Sequence, residues 1–136
     1  MTTTYATNIE SIRQAAERLA GKAHQTPLIR CQTIDTRAGR ELLLKCENQQ
    51  KVGAFKFRGA TNAVALLSDE QAAQGVVTHS SGNHAQALAL AARNRGIAAH
   101  IVMPENAPSV KRQAVEGYGA EVILCEATLI ARETTA

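Results

Sequence analysis

Two short segments of this 136-residue chain carry residue types that could do chemistry. Residues 53–59 read Gly53-Ala54-Phe55-Lys56-Phe57-Arg58-Gly59, which sets one lysine between the only two phenylalanines of the chain. Residues 80–86 read Ser80-Ser81-Gly82-Asn83-His84-Ala85-Gln86. A lysine attacks a carbonyl carbon only as the free amine. Desolvation by flanking rings and the positive end of a helix that starts at Lys56 would both disfavour the ammonium form. That reading stands beside the commoner one, a solvated surface charge. The second segment follows an apolar run and opens a helical pattern, so free backbone N–H groups, two hydroxyls and an amide could hold an anion there. The same residues also make an ordinary serine cap with a tight turn. His84, and His79 just before the turn, read equally well as capping or packing histidines. Together the two segments point to covalent carbonyl chemistry on amino acids.

Other chemistries find no footing. There is no G-x-G-x-x-G or Walker A pattern, which speaks against dinucleotide and nucleoside triphosphate binding. No H-E-x-x-H, EF-hand or clustered Cys/His spacing is present, so no metal site is expected, and no Gly-x-Ser-x-Gly elbow occurs. The acidic residues are scattered, without an obvious acid/base pair. Cys31, Cys46 and Cys125 are odd in number and far apart, which excludes a disulfide framework; Cys46 and Cys125 lie in apolar runs and read as buried thiols. Net charge is +3 and no Lys/Arg run exceeds two residues, so nucleic acid is not an expected partner. No apolar stretch is long enough for a membrane span and the first residues, Met1 to Tyr5, lack the pattern of a signal peptide. The expected location is the cytoplasm.

The elements that must position these residues follow from periodicity. Hydrophobic residues make up 45% of the chain but aromatics only 3%, so a core has to be built from Ala, Val, Leu and Ile. That composition suits helices packed on a small parallel sheet. Ile12, Ala16 and Leu19 share a helical face, with Asn8 as cap and Gly21 as stop. Leu42 to Cys46 reads as a short buried strand, and residues 47–55 as a polar loop. From Lys56 the pattern is helical, with Ala60, Val64 and Leu67 on one face. Ser68-Asp69-Glu70 starts another helix and marks the expected domain boundary. Beyond it come a strand from Gly75 to Thr78, a helix from His84 to Arg95 stopped by Gly96, a strand from Ala98 to Met103, a helix from Pro108 to about Tyr118 stopped by Gly119, and a strand from Glu121 to Cys125. This β-α-β-α-β order predicts a parallel sheet with right-handed crossovers. Thr128 to Ala136 reads as the opening of a further helix without a stop signal, so the chain is expected to be the first portion of a longer protein.

The run Lys45-Cys46-Glu47-Asn48-x-Gln50-x-x-Gly53-Ala54-Phe55-Lys56-Phe57-Arg58-Gly59-Ala60, followed by Thr78-His79-Ser80-Ser81-Gly82-Asn83-His84-Ala85-Gln86, resembles the fold-type II pyridoxal phosphate (PLP) enzymes. Within them it is most similar to the group of serine racemases, serine/threonine dehydratases and threo-3-hydroxyaspartate ammonia-lyases. The likeness extends to Val102-Met103-Pro104 and Tyr118-Gly119-Ala120-Glu121-Val122. It implies an α/β fold of the tryptophan synthase β-like class, with a three-layer parallel-sheet architecture that is incomplete in this chain. Residues 1–68 would be the opening part of a large PLP-binding domain and residues 69–136 most of a small mobile one. Lys56 would bond the PLP aldehyde and move the substrate α-proton, Phe55 would lie against the cofactor, and Asn83 would hydrogen-bond its phenolic oxygen. Ser80, Ser81, Gly82, Asn83 and His84 would line the substrate carboxylate pocket, and Arg132 would clamp that carboxylate in a bidentate pair.

Ser81 is the discriminating position. Biosynthetic threonine deaminases usually carry alanine there, whereas a hydroxyl on the face opposite Lys56 supplies the second acid/base that racemisation needs. The resemblance therefore implies α,β-elimination from serine, threonine or 3-hydroxyaspartate, with racemisation beside it, giving a 2-oxo acid and ammonia. Ala54 departs from the frequent Ser-Phe-Lys form, which removes one hydroxyl near the cofactor. The resemblance also implies a homodimer when full length. The glycine-rich phosphate cup, the group facing the pyridine nitrogen and the ligands for a divalent cation such as magnesium would all lie beyond this chain, and the piece alone would bind PLP weakly. Two further readings remain open: β-replacement of the cysteine synthase kind, and a non-catalytic α/β module that holds an anion at Ser80–Asn83.

Overall fold

A computed structural model describes residues 7–136. The first helix, α1 (Ile9–Leu19), starts where expected: Asn8 accepts from the Ser11 backbone and the Ser11 hydroxyl returns a bond to the Asn8 backbone, a reciprocal cap. Two short strands follow, β1 (Leu28–Ile29) and β2 (Leu44–Lys45), paired antiparallel with Leu28 opposite Lys45. The expected buried strand from Leu42 to Cys46 is thus only two residues long and exposed; only Cys46 at its end is buried. A run of apolar residues cannot by itself say whether a neighbour covers it. Helix α2 (Gln32–Ala38) between the strands was not legible in the sequence, because it has no side-chain cap and no buried face; it ends on Gly39 in the left-handed conformation. Residues 47–53 are not a free loop but two single 3₁₀ turns, with Val52 held at φ 57°.

Helix α3 (Lys56–Leu66) and the capped short helix α4 (Asp69–Ala73) lead into a three-stranded sheet of β3 (Val76–His79), β4 (Ala99–Pro104) and β5 (Glu121–Cys125). The strands are parallel in the order β3-β4-β5, as the alternation of strand and helix signals predicted. Helices α5 (Asn83–Arg95) and α6 (Ser109–Gly117) make the connections, and α7 (Leu129–Thr135) follows β5. Along β4, Ala99, Ile101 and Met103 join the core formed with α3 and α5, while Val102 points the opposite way and is fully buried too. A strand buried on both faces marks the middle of a layered α/β unit. Among the described residues no helix is long and apolar enough to cross a membrane.

One glycine of this unit has no substitute. Gly75 turns the chain from α4 into β3 at φ 78°, and a Cβ there would stand 2.9 Å from the Ala98 carbonyl oxygen. Both the left-handed backbone and the contact with a rigid carbonyl oppose any side chain. Gly75→Ala is expected to lower stability by about 1–3 kcal/mol, read as a shift in the urea midpoint without a change in slope.

The arrangement of α3 and α5 sets the direction of everything functional. Both helices contribute to one core, through Phe57, Ala60 and Val64 on α3 and the Ala85–Ala92 stretch on α5. Arg95, the last residue of α5, donates from its guanidinium to the carbonyls of Val64 and Leu67, the second at 2.7 Å, closing the C-terminal end of α3. The two C-termini therefore meet, and the helices run side by side in the same direction. Their first residues, Lys56 and Asn83, emerge together at the other end.

Candidate active site

Lys56 is the first residue of α3, directly after Phe55 and before Phe57. The helix spacing 57, 60, 61, 64 turns Phe57 inward, where it is 0% exposed, a burial that contributes about 1.5–3 kcal/mol. Phe55, one residue ahead of the helix, stays outside at 61% exposure. The Lys56 Nζ lies 5.4 Å from the centroid of the Phe55 ring, and the lysine itself is exposed. The expectation that two rings would desolvate Lys56 is therefore corrected: one ring is consumed by the core, and the other offers only an exposed cation–π face. The amine is accessible rather than buried.

The second segment leaves β3 with a last ladder bond, from Ser80 N to Val102 O at 3.1 Å. The Ser80 hydroxyl then folds back to accept from Gly82 N at 3.3 Å. Gly82 occupies the cap position of α5, and no side chain satisfies the first turn of this helix. By contrast α1, α4 and α7 are each closed by Asn8, Ser68 and Thr128. The alternative of a plain serine cap is thus not what forms, and the N–H groups at the start of α5 remain available to an anion. Ser80, Ser81, Gly82 and His84 are partly buried around this start, and Asn83 is exposed. Burial, aided by the positive Lys56 nearby, pushes the His84 imidazole below its usual value and keeps it neutral at neutral pH. His84 lines one pocket together with Gly59 and Ala60 of α3, so the two segments, 28 positions apart between Lys56 and His84, face one another.

Arg132 is on α7, which follows the carboxyl end of β5, just as the Ser80–His84 turn follows the carboxyl end of β3. Both lie at the edge of a parallel sheet where ligands bind in such folds, with β4 between them. The Arg132 Nε donates to Thr128 O at 3.2 Å within its own helix, so the structure places it on the same rim without joining it to the turn.

What the sequence did not reveal is the clasp that holds Lys56 in place. Arg58 grips Glu47 with a fork, Nε to Oε2 and NH2 to Oε1, both at 2.8 Å. Thr26 donates its hydroxyl to the same carboxylate at 2.6 Å, and Arg58 also reaches His24 O at 3.0 Å. The buried Gln50 amide accepts from His24 N and donates to His24 O, each at 2.9 Å, while Lys45 Nζ donates to Thr26 O at 2.6 Å. The Arg58 guanidinium, opposed by partial burial and reinforced by the Thr26 hydroxyl, holds the Glu47 carboxyl down at about 2. These bonds tie residues 24–26 and 47–50 to the first turn of α3, two residues from Lys56. The sequence places Glu47, Gln50 and Arg58 in the same short run as Lys56, which says nothing about partners near residue 25.

The donors suit PLP by their chemistry. Lys56 offers an exposed amine for its aldehyde, Phe55 an exposed ring beside that amine, Asn83 an exposed amide for a phenolic oxygen, and the open first turn of α5 a seat for an anionic group.

Comparison with known proteins agrees. The family model described as "Pyridoxal-phosphate dependent enzyme" matches residues 19–136. The chain is 53% identical over 132 residues to a serine racemase of Arabidopsis thaliana, covering 97% of this chain and 40% of that protein. It is 48% identical over 112 residues to an L-threo-3-hydroxyaspartate ammonia-lyase of Saccharomyces cerevisiae, covering 82% of this chain and 34% of that protein. Its fold superposes on the structure of maize serine racemase with a TM-score of 0.92 and 52% identity, over 96% of this chain and 40% of that one. The chain thus spans about two fifths of the length of the relatives it matches.

Proposed function

We propose, because this chain belongs to the pyridoxal-phosphate dependent enzymes, that it is the lysine-bearing and carboxylate-holding portion of an ammonia-lyase and racemase of small hydroxy amino acids. The observation that carries the reading is the parallel setting of α3 and α5, which brings an accessible lysine and an uncapped helix start to one end of a single core. The similarity to serine racemases and to hydroxyaspartate ammonia-lyases supports serine, threonine or 3-hydroxyaspartate as the substrate class.

When bound, PLP supplies the electron sink that makes the α-proton of an amino acid acidic. Lys56 would hold the cofactor through its aldehyde, and its amine would carry the α-proton on one face of the substrate. Ser81 carries it on the opposite face. The first-turn N–H groups of α5, with Ser80, Gly82, Asn83 and a His84 held towards its neutral form, orient the substrate carboxylate. Asn83 and Phe55 would hold the cofactor ring, and Arg132 would reach from the neighbouring rim to clamp the carboxylate. In elimination the α-proton and the β-hydroxyl leave as water, and hydrolysis of the resulting enamine gives a 2-oxo acid and ammonia.

In the whole enzyme, residues 1–68 belong to the larger body and residues 69–136 to the smaller mobile one. Because α3 and α5 share buried side chains across that boundary, their relative movement is a small shear of packed helices, not an opening hinge. The whole enzyme is a cytoplasmic homodimer, with a divalent cation such as magnesium held outside this portion.

Ser81→Ala tests the assignment. With the intact enzyme, racemisation is expected to fall by about 10²–10⁴-fold, the usual worth of a placed proton carrier, while elimination from the enantiomer served by Lys56 stays within about ten-fold. Equal losses in both activities would remove Ser81 from its role. Carboxylate binding that needs Ser81 but is indifferent to Lys56 would identify a non-catalytic anion-binding module instead.

A further inference from the structure

Among the described residues, Val52 is the one non-glycine residue with a positive φ, at φ 57° and ψ 14°. A β-branched side chain crowds the backbone there, so this conformation costs free energy and persists only where its surroundings impose it. Three contacts impose it. Gly53 N donates to Gln50 O at 2.8 Å and closes a four-residue turn with Val52 in its third position, where glycine or asparagine is the usual residue. Gln50, the first residue of the turn, is 3% exposed and is fixed by its two amide bonds to His24. The Val52 side chain packs against the core shared by α3 and α5, and the neighbouring Lys51 Nζ stands 5.5 Å from the Phe57 ring centroid. Gly53, itself left-handed at φ 67°, ends the turn three positions before Lys56.

We propose that Val52 is a positioning residue for Lys56: its left-handed turn aims the chain into α3 so that the lysine amine emerges at the end of the core where α5 starts. The inference rests on the reading of Lys56 as the amine that bonds PLP. The clasp at Arg58 holds the chain two residues after Lys56, and the turn holds it from the other side, so the amine is fixed between two anchors. The left-handed backbone sets the direction, and the valine side chain pins that backbone against the core. A right-handed or extended residue at position 52 would send Gly53 to Phe55 along another path and carry Lys56 with it. A displacement of about 1 Å at a reacting group costs up to about 10²-fold in rate, so a small change in this turn is felt at the amine.

Val52→Ala and Val52→Asn in the intact enzyme separate backbone direction from packing. Both remove the apolar contacts of the valine, and asparagine adds an amide beside the core, so packing alone ranks asparagine no better than alanine. Asparagine, however, tolerates the left-handed backbone, and alanine resists it. Per folded molecule, kcat is expected to fall by about ten-fold or more in Val52→Ala, with the KM for serine within about two-fold because the carboxylate seat at the start of α5 is untouched. Val52→Asn is expected to recover most of that loss. The yield of PLP trapped on Lys56 by borohydride, read by peptide mass, should follow the same order of parent, asparagine and alanine. A kcat in Val52→Asn as low as in Val52→Ala, or parent-like kcat and trapping in both, would overturn the proposal while leaving the assigned reaction intact. A parent that traps no PLP on Lys56 would overturn the reading of that lysine and this inference with it.

Discussion

Lys56→Ala in the intact enzyme will lower both elimination and racemisation by at least about 10²–10⁴-fold, the contribution of a positioned proton carrier alone. The thermal midpoint, by contrast, will stay close to that of the parent. The two halves of this expectation come from different observations. Lys56 is exposed, it makes no ion pair among the described residues, and alanine is the better helix former, so the fold loses nothing but one exposed cation–π contact with Phe55. The activity loses the amine that stands beside the Phe55 ring at the end of the core where α5 starts. A direct readout accompanies the rates. Borohydride reduction in the presence of PLP is expected to label Lys56 in the parent protein, with no replacement label on Lys51 or Lys45 in the variant. Activity retained to within ten-fold, or a label found on another lysine, would show that Lys56 is only a surface charge.

Breaking the clasp will have the second-largest effect, and here stability and activity fall together. Arg58→Ala removes both arms of the fork and leaves Glu47 held only by Thr26 and Lys45. Bonds to a charged group contribute about 1.5–3 kcal/mol, and a loss of that size is expected in urea unfolding. Arg58→Lys keeps the charge but not the planar two-pronged geometry, so it should recover part of the stability and less of the turnover. The difference between those two recoveries is what separates a positioning role from a purely structural one. Acid provides an independent check. Glu47 sits at about 2 in the folded protein against an ordinary 4.5, so the folded state binds fewer protons than the unfolded chain between those values. The stabilisation from the clasp is complete above about pH 4.5 and disappears as pH falls towards 2. Glu47→Gln should flatten the acid limb of the stability curve in that window; an unchanged limb would place the acid sensitivity elsewhere.

Much of the scaffold was legible because its signals are local. Asn8, Gly96 and Gly119 mark helix ends by what their backbone can do, and the β-branched runs at Val76, Ile101 and Val122 alternate with helices in an order that only a parallel sheet accommodates. The two chemical segments were legible for the same reason: each is a contiguous string of residues at a helix start. What escaped depends on distant partners. The clasp joins residues separated by 11 to 34 positions, and nothing in Thr26 or His24 announces Glu47 or Arg58. Phe57 could have been read correctly, since it shares the 57-60-64 face with Ala60 and Val64. Treating it as a neighbour of Lys56 instead assigned it to the site, when helical spacing already assigned it to the core. The same spacing carries Thr61 into the interior, where its hydroxyl is left unpaired.

Side-by-side helices usually run antiparallel, so that opposite ends of their dipoles meet. Here α3 and α5 run together, and two positive ends, with Lys56 added, are gathered at one place, while the carboxylate tied to the first turn of α3, Glu47, is already engaged by Arg58. The molecule is therefore electrically unfinished at this end. A negatively charged ligand that settles there does more than wait to be converted: it relieves a repulsion built into the framework. By mass action, an occupant at a hundred times its Kd strengthens the folded state by about 2.7 kcal/mol, so the concentration of an anion bound at this end would help set how much of the protein is folded.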